Sequence, residues 1–195
     1  MKKRTLLIIS IIFFSCKSEN QSPIDYTILL DNCLTQNEIK LLNTGSEIFE
    51  RKIVETSNRK NIGSFYKKYV ELFLKEYPSE IIENKEENDY LIKLKKSELF
   101  NKIWSQFQLN KIDNHQKKYF ELKGEGEFML CLIKNAKNPK IKDFLNSYKE
   151  ITGISLQIMA NGLIKKLTEK EFNSKIIQLF ITIEFYYNLK INIKK

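Results

Sequence analysis

The sequence predicts an all-α fold: a single compact helical domain of about six to seven helices over residues 26–195. Three observations carry the prediction. Apolar side chains recur at i, i+3 and i+4 through most of the chain. Thr35 with Glu38, and Thr168 with Glu171, have the spacing of a capping box, in which a hydroxyl and a carboxylate satisfy the backbone donors left free where a helix begins. Proline and glycine stand where helices should start or stop.

The first helix follows Thr35, with Ile39, Leu42, Phe49 and Ile53 on one face; Gly45 is a point at which it could split. Gly63 and Ser64 open the second, where Phe65, Tyr66, Tyr69, Val70 and Phe73 share a face. Tyr77 and Pro78 stop it, because proline disfavours helix in the residue before it. Residues 79–88 are acidic and polar, with room for one helical turn. Residues 90–109 carry Leu91, Leu94, Leu99, Ile103, Trp104 and Phe107, and the later part reads as helix. A charged loop over 110–118 follows.

Asn138 and Pro139 mark another start, with Ile141, Phe144, Leu145 and Tyr148 behind them and Gly153 closing the helix. Residues 154–167 form a shorter helix interrupted by Gly162, and the second capping box opens the last element.

Two segments leave an α+β alternative open. Residues 120–133 contain Gly124-Glu125-Gly126-Glu127 between apolar runs, a composition that suits a hairpin turn; the alternative places a hairpin near 119–133. From Ile177 to Ile193 every odd position is apolar, the alternation of a strand. Phe172, Ile176, Phe180, Ile183 and Tyr187 also form a helical stripe behind a capping box, and a helix apolar nearly all round is a buried central one. The helical reading is preferred.

The chain opens with Lys2, Lys3 and Arg4, followed by an apolar run from Thr5 to Ser15 and then Cys16. The chain turns polar at Lys17, Ser18, Glu19, Asn20 and Gln21. A charged start, a short apolar stretch and a small residue before a processing site define a secretory signal, here residues 1–15. Eleven residues are too few for a spanning helix, which needs about 20.

Cys16 directly behind the run resembles the lipobox of type II signal-peptidase substrates, the bacterial lipoproteins. Ser15 fits the small residue expected before the cysteine, while Phe13 and Phe14 stand where Leu and Ala or Ser are usual. Looser forms of this kind occur in Bacteroidetes-type bacteria. The resemblance implies cleavage before Cys16, diacylglycerol on its thiol and usually an acyl group on its amine. One acyl chain holds a protein only marginally at a bilayer, and two or three hold it stably. Residues 16–25 would then be a short lipidated tether. Lys17 and Glu19 resemble in part the export signal that sends such lipoproteins to the outer face. The expected address is therefore the cell envelope, at the outer membrane, facing either the periplasm or the surface.

Removing fifteen residues from 195 leaves 180, enough to bury a real core. Three of the 33 basic residues leave with the signal, so 30 oppose 24 acids, a net charge of +6. The lysines are scattered beside Glu and Asn, the pattern of a solvated surface, so nucleic acid is not an expected partner. Cys33 and Cys131 sit among apolar neighbours. They read either as buried thiols acting as small hydrophobes or as a disulfide that an exported chain can form.

No HExxH, GxSxG, P-loop or GxGxxG is present, and the chain has no CxxC. No catalytic residue, cofactor or metal is assigned. His115, the one histidine, lies in a polar stretch, and with Glu121, Glu125 and Glu127 it forms the only combination that suggests a metal; a solvated turn explains the same acids. Glu171 and Glu184 lie on or near apolar elements, where a carboxyl can have a raised pKa, although an outward position or a lysine partner is the commoner arrangement. Among 13 Phe and 9 Tyr, mainly core, Tyr186 and Tyr187 are candidates to line a ligand groove.

The expected function is a non-catalytic, lipid-anchored domain that binds something at the envelope, a protein partner among the options. The alternatives are an envelope hydrolase using carboxylates and a structural envelope component. A cleft gathering two or more acids with His115 would favour the hydrolase.

Overall fold

The computed structural model describes residues 24–54, 61–75, 84–109, 117–151 and 153–193. The signal segment, Cys16, Lys17, Glu19, the Tyr77–Pro78 stop and His115 lie outside those residues.

A four-residue helix α1 (Thr27–Leu30) leads into α2 (Gln36–Ile53). The first capping box forms: Glu38 accepts from the Thr35 N–H at 2.8 Å, and the Thr35 hydroxyl accepts from the Glu38 N–H at 3.4 Å. Gly45 does not split α2. Tyr187 instead donates to the Gly45 carbonyl at 2.8 Å, and a Cβ on Gly45 would stand 2.2 Å from the Tyr90 hydroxyl. The glycine is therefore a packing point, where a bare backbone lets two tyrosines approach.

Next come α3 (Ile62–Lys75), α4 (Lys85–Lys96) and α5 (Glu98–Ile103). The expected helix does not run on to residue 109. It ends at Ile103, and β1 (Trp104–Leu109) pairs antiparallel with β2 (Lys117–Leu122), Trp104 opposite Leu122 and Gln106 opposite Phe120. A hairpin thus exists, but its strands enclose 110–116 and not the glycine-rich segment. That segment instead turns the chain from β2 into α6 (Glu127–Asn135).

Asn138 caps α7 (Pro139–Lys149) by accepting from the Lys140 N–H at 2.9 Å. Ser155 caps α8 (Leu156–Lys166) by accepting from the Ile158 N–H at 3.3 Å. Gly162 leaves α8 unbroken. The second capping box opens α9 (Glu169–Phe172), with Glu171 accepting from the Thr168 N–H at 2.9 Å.

The segment that alternates like a strand is helical throughout. α10 (Lys175–Ile181) runs through a π-helical stretch (Thr182–Tyr187) into α11 (Asn188–Ile193). Every residue from Ile176 to Ile191 is buried. This helix is the axis of the domain: α10 packs on α3, α6 and α9, the π stretch packs on α2, and α11 packs on β2. Burial on all sides explains how one sequence satisfies both periodicities, since no face has to be polar. Aromatic rings fill the space around it, including Phe49 against Tyr186 (centroids 4.5 Å), Tyr90 against Tyr187 (4.9 Å) and Tyr148 against Phe180 (5.1 Å).

Cys33 and Cys131 are joined in a disulfide with Cα atoms 5.9 Å apart, linking the segment after α1 to α6. Among the described residues no helix is long and apolar enough to cross a membrane.

Candidate functional site around the π-helical stretch

A π-helical turn shifts the residues it carries relative to an α-helical ladder, and such turns recur at functional sites. Here the stretch carries Thr182, Glu184, Tyr186 and Tyr187 inside the core. Each of these polar groups meets a different element. The Tyr66 hydroxyl lies 3.4 Å from the Thr182 hydroxyl and donates to Glu50 at 3.2 Å. Tyr187 reaches Gly45, as described. The two remaining groups, Tyr186 and Glu184, create contrasting environments for buried carboxyls.

On one side Tyr186 donates a short hydrogen bond to Glu87, whose side chain is fully buried at the start of α4. Lys52 approaches the same carboxylate at 2.6 Å and Lys190 at 2.9 Å, and the Lys190 ammonium also lies 5.2 Å from the centre of the Tyr186 ring. Burial disfavours the charged carboxyl. The hydrogen bonds from Lys52, Tyr186 and Lys190, with the charge of Lys190, outweigh it and hold Glu87 below the usual carboxylate range. One carboxylate flanked by two ammonium groups is a structural knot.

On the other side Glu184 is 3% exposed and accepts from Tyr148 at 3.2 Å and from Asn188 at 3.2 Å. Neither an outward position nor a lysine partner describes it. Burial pushes its carboxyl up to about 8, against the pull of those two hydrogen bonds, and the charge of Glu121 pushes the same way. Glu184 lines a cleft of about 240 Å³ bounded by β2, the end of α7, the start of α8 and the π stretch. Tyr119, Phe120, Glu121, Tyr148, Gly153 and Asn188 line it too. Glu121 is fixed by the Gly153 N–H, which donates to it at 2.5 Å, and Gly153 presents that N–H from a left-handed conformation at φ 72°. A neutral carboxyl over a cleft can donate a proton or a hydrogen bond near neutral pH, and can take up a positive charge by releasing its proton.

The other candidates are placed elsewhere. Glu171 caps α9, and the Thr168 hydroxyl and backbone hydrogen bonds draw its carboxyl down to about 2, the opposite of the raised value considered for it. Glu125 pairs with Lys149 at 3.9 Å and Glu127 with Lys102 at 3.0 Å; both line a second, open cleft of about 660 Å³ with Glu121, Lys102 and Lys123. Among the described residues no group of three His, Cys, Asp or Glu is placed to hold a metal ion. Tyr186 and Tyr187 are core residues, 2% and 0% exposed, and line neither the Glu184 cleft nor the one beside Lys102.

Sequence reasoning missed Glu87, Lys190, Tyr148 and Asn188 as polar participants. Lys190 carried a legible signal: a cation in a helix apolar on all sides needs a buried anion. Nothing local pointed to Glu87, 103 positions earlier. No family model, no curated protein and no solved structure matches the chain.

Proposed function

We propose that the chain is a lipid-anchored protein of the cell envelope, held at the outer membrane through Cys16, whose helical domain is a non-catalytic binding module. The observation that carries the address is the cysteine set directly behind an apolar run of eleven residues with a basic start. The Cys33–Cys131 disulfide supports it, because such bonds persist in oxidising compartments outside the cytosol. The binding role is supported by how the acids are used. Glu38 and Glu171 cap helices and Glu87 is bonded to two lysines, while Glu184 borders a cleft beside exposed apolar Ile151.

The test is Cys16→Ala in the full-length chain. Wild type should fractionate with membranes and carry fatty acyl mass on a mature chain that starts at Cys16, whereas the variant is soluble or unprocessed. Equal membrane fractionation of the two defeats the proposal of a lipid anchor. Pull-down from envelope extracts tests the binding role.

One observation favours a second reading, an envelope hydrolase: Glu121 and Glu184 line the same cleft. A carboxyl of raised pKa in one cleft with a second carboxyl is the kind of pairing acid–base hydrolysis uses. Release of nitrophenol from chromogenic esters or glycosides by wild type, abolished in Glu184→Gln, would establish it over the binding module.

A further inference from the structure

We propose that the cleft over Glu184 is a receptor for a single organic ammonium group, with Glu184 as its counter-ion, Glu121 as a second carboxylate and the Tyr119, Phe120 and Tyr148 rings as its aromatic wall. The inference rests on the binding-module reading and names the chemistry of its ligand.

The protein itself supplies the comparison. Glu87 and Glu184 are both buried glutamates, Glu87 packed against the central helix and Glu184 carried on it. Beside Glu87 stand Lys52 and Lys190 at 2.6 Å and 2.9 Å, and the carboxyl is held ionised. Beside Glu184 stand two neutral donors, Tyr148 and Asn188, and then the cleft. Among the described residues lining that cleft there is no lysine or arginine, but there are two acids and three aromatic rings. Carboxylate and ring faces together recognise an ammonium. Near Glu87, Lys190 already shows the combination, its ammonium between the Glu87 carboxylate and the Tyr186 ring.

Size narrows the ligand. A volume of about 240 Å³ falls below the roughly 300–1,000 Å³ typical of pockets for drug-sized molecules. A primary amine on a short alkyl chain fits that space, with the stem against Leu156 and Met159, which also line the cleft. Exposed Ile151 on the lining, and Ile158 next to Met159, offer apolar surface for whatever carries the amine. The amine's source is a free small molecule or a lysine side chain presented by a partner protein.

Entry of the cation requires Glu184 to give its proton to solvent. The titratable groups facing it are Glu121 and Tyr119 from β2 and Tyr148 from α7, while the α8 residues Leu156 and Met159 carry none. Affinity should therefore rise with pH until Glu184 is ionised.

The experiment titrates the full-length protein in detergent with n-butylammonium chloride, with n-butanol as the neutral match, followed by NMR shifts at Tyr148 and Ile151. Butylammonium should saturate and butanol should not, and binding should weaken by about tenfold or more from about pH 9 to about pH 6. Glu184→Gln should lower affinity by about tenfold or more. If that variant fails to fold by circular dichroism, Glu121→Gln, which keeps an acceptor for Gly153, should weaken binding as well. Tighter binding of Nα-acetyl-lysine methylamide than of butylammonium assigns the site to a protein partner; the reverse assigns it to a free amine. Equal binding of butanol, or unchanged binding by the folded variant, overturns the inference. Should a partner be recovered from envelope extracts equally by wild type and Glu184→Gln, the amine site falls and the binding module stands.

Discussion

Asn192 closes both outward backbone hydrogen bonds of Phe120. Its side-chain carbonyl accepts the Phe120 N–H and its amide donates to the Phe120 carbonyl, each at 2.8 Å. One side chain from α11 thus does for β2 what a third strand would do, and joins the hairpin to the buried helix. Asn192→Ala should cost about 1 kcal/mol, since the Phe120 backbone groups it leaves unpaired are half-buried. Urea denaturation measures the loss, and faster amide exchange at Phe120 should accompany it while the helices keep their protection.

Gly45 and Tyr90 make a contrasting pair of substitutions. Gly45→Ala forces a methyl into the Tyr90 ring and should destabilise by about 1–3 kcal/mol, as overpacking does. Tyr90→Phe should leave stability unchanged or raise it, because the Tyr90 hydroxyl is buried with no hydrogen-bond partner among the described residues. Thermal melts of the two variants decide: a stabilised Gly45→Ala would mean that the rings give way freely.

Glu87 and Glu184 should impose opposite pH trends on stability. The Glu87 carboxyl is held low in the fold, so its contribution is present above the ordinary carboxylate pKa of 4.5 and is lost as acid protonates it below that value. The Glu184 carboxyl is raised to about 8, so the folded state binds more protons than the unfolded state between 4.5 and about 8. Stability from this group is full below that window and falls through it by an amount on the order of a few kcal/mol. Glu184→Gln should therefore remove the fall in stability between pH 4.5 and about 8, measured by chemical denaturation across pH, and leave the profile below 4.5 as it was.

Removing one member of the Glu87 knot should be severe. Glu87→Ala removes the buried carboxylate that Lys52 and Lys190 share and should cost about 3–5 kcal/mol. A loss below 1 kcal/mol, read by denaturation at neutral pH, would show that solvent reaches Lys190.

Much of the fold was legible because its signals are local. A capping box spans four residues, and both boxes form as read, around Thr35 with Glu38 and Thr168 with Glu171. The central helix was legible from its stripe despite the alternation, since burial all round agrees with it; the capping box read as its start opens α9 instead, and α10 begins behind Ser174 without a side-chain cap. The β1 strand was not. Leu99 and Ile103 are helical, and the apolar pattern runs on through Trp104 without a proline or glycine to mark the change. What ends the helix is a tertiary partner, β2, beyond the charged loop. The glycines at 124 and 126 misled for a related reason: a Cβ on Gly124 would stand 2.5 Å from the Lys149 carbonyl, so close packing against α7 requires that glycine. The cleft was legible only in part. Glu184 stood out as a carboxyl in an apolar run, but Tyr148 is 36 positions away and reads as core.

The sulfur bridge has a mechanical consequence. Under the proposed anchor at Cys16, tension would enter at the end that leads into α1, a helix of four residues. The bond from Cys33 to Cys131 spans 98 positions and diverts that load, a few residues past the point of entry, into α6. Stretching the protein from its N-terminus should therefore peel away only the segment before residue 33 until a reductant is added, after which the unravelling reaches α2.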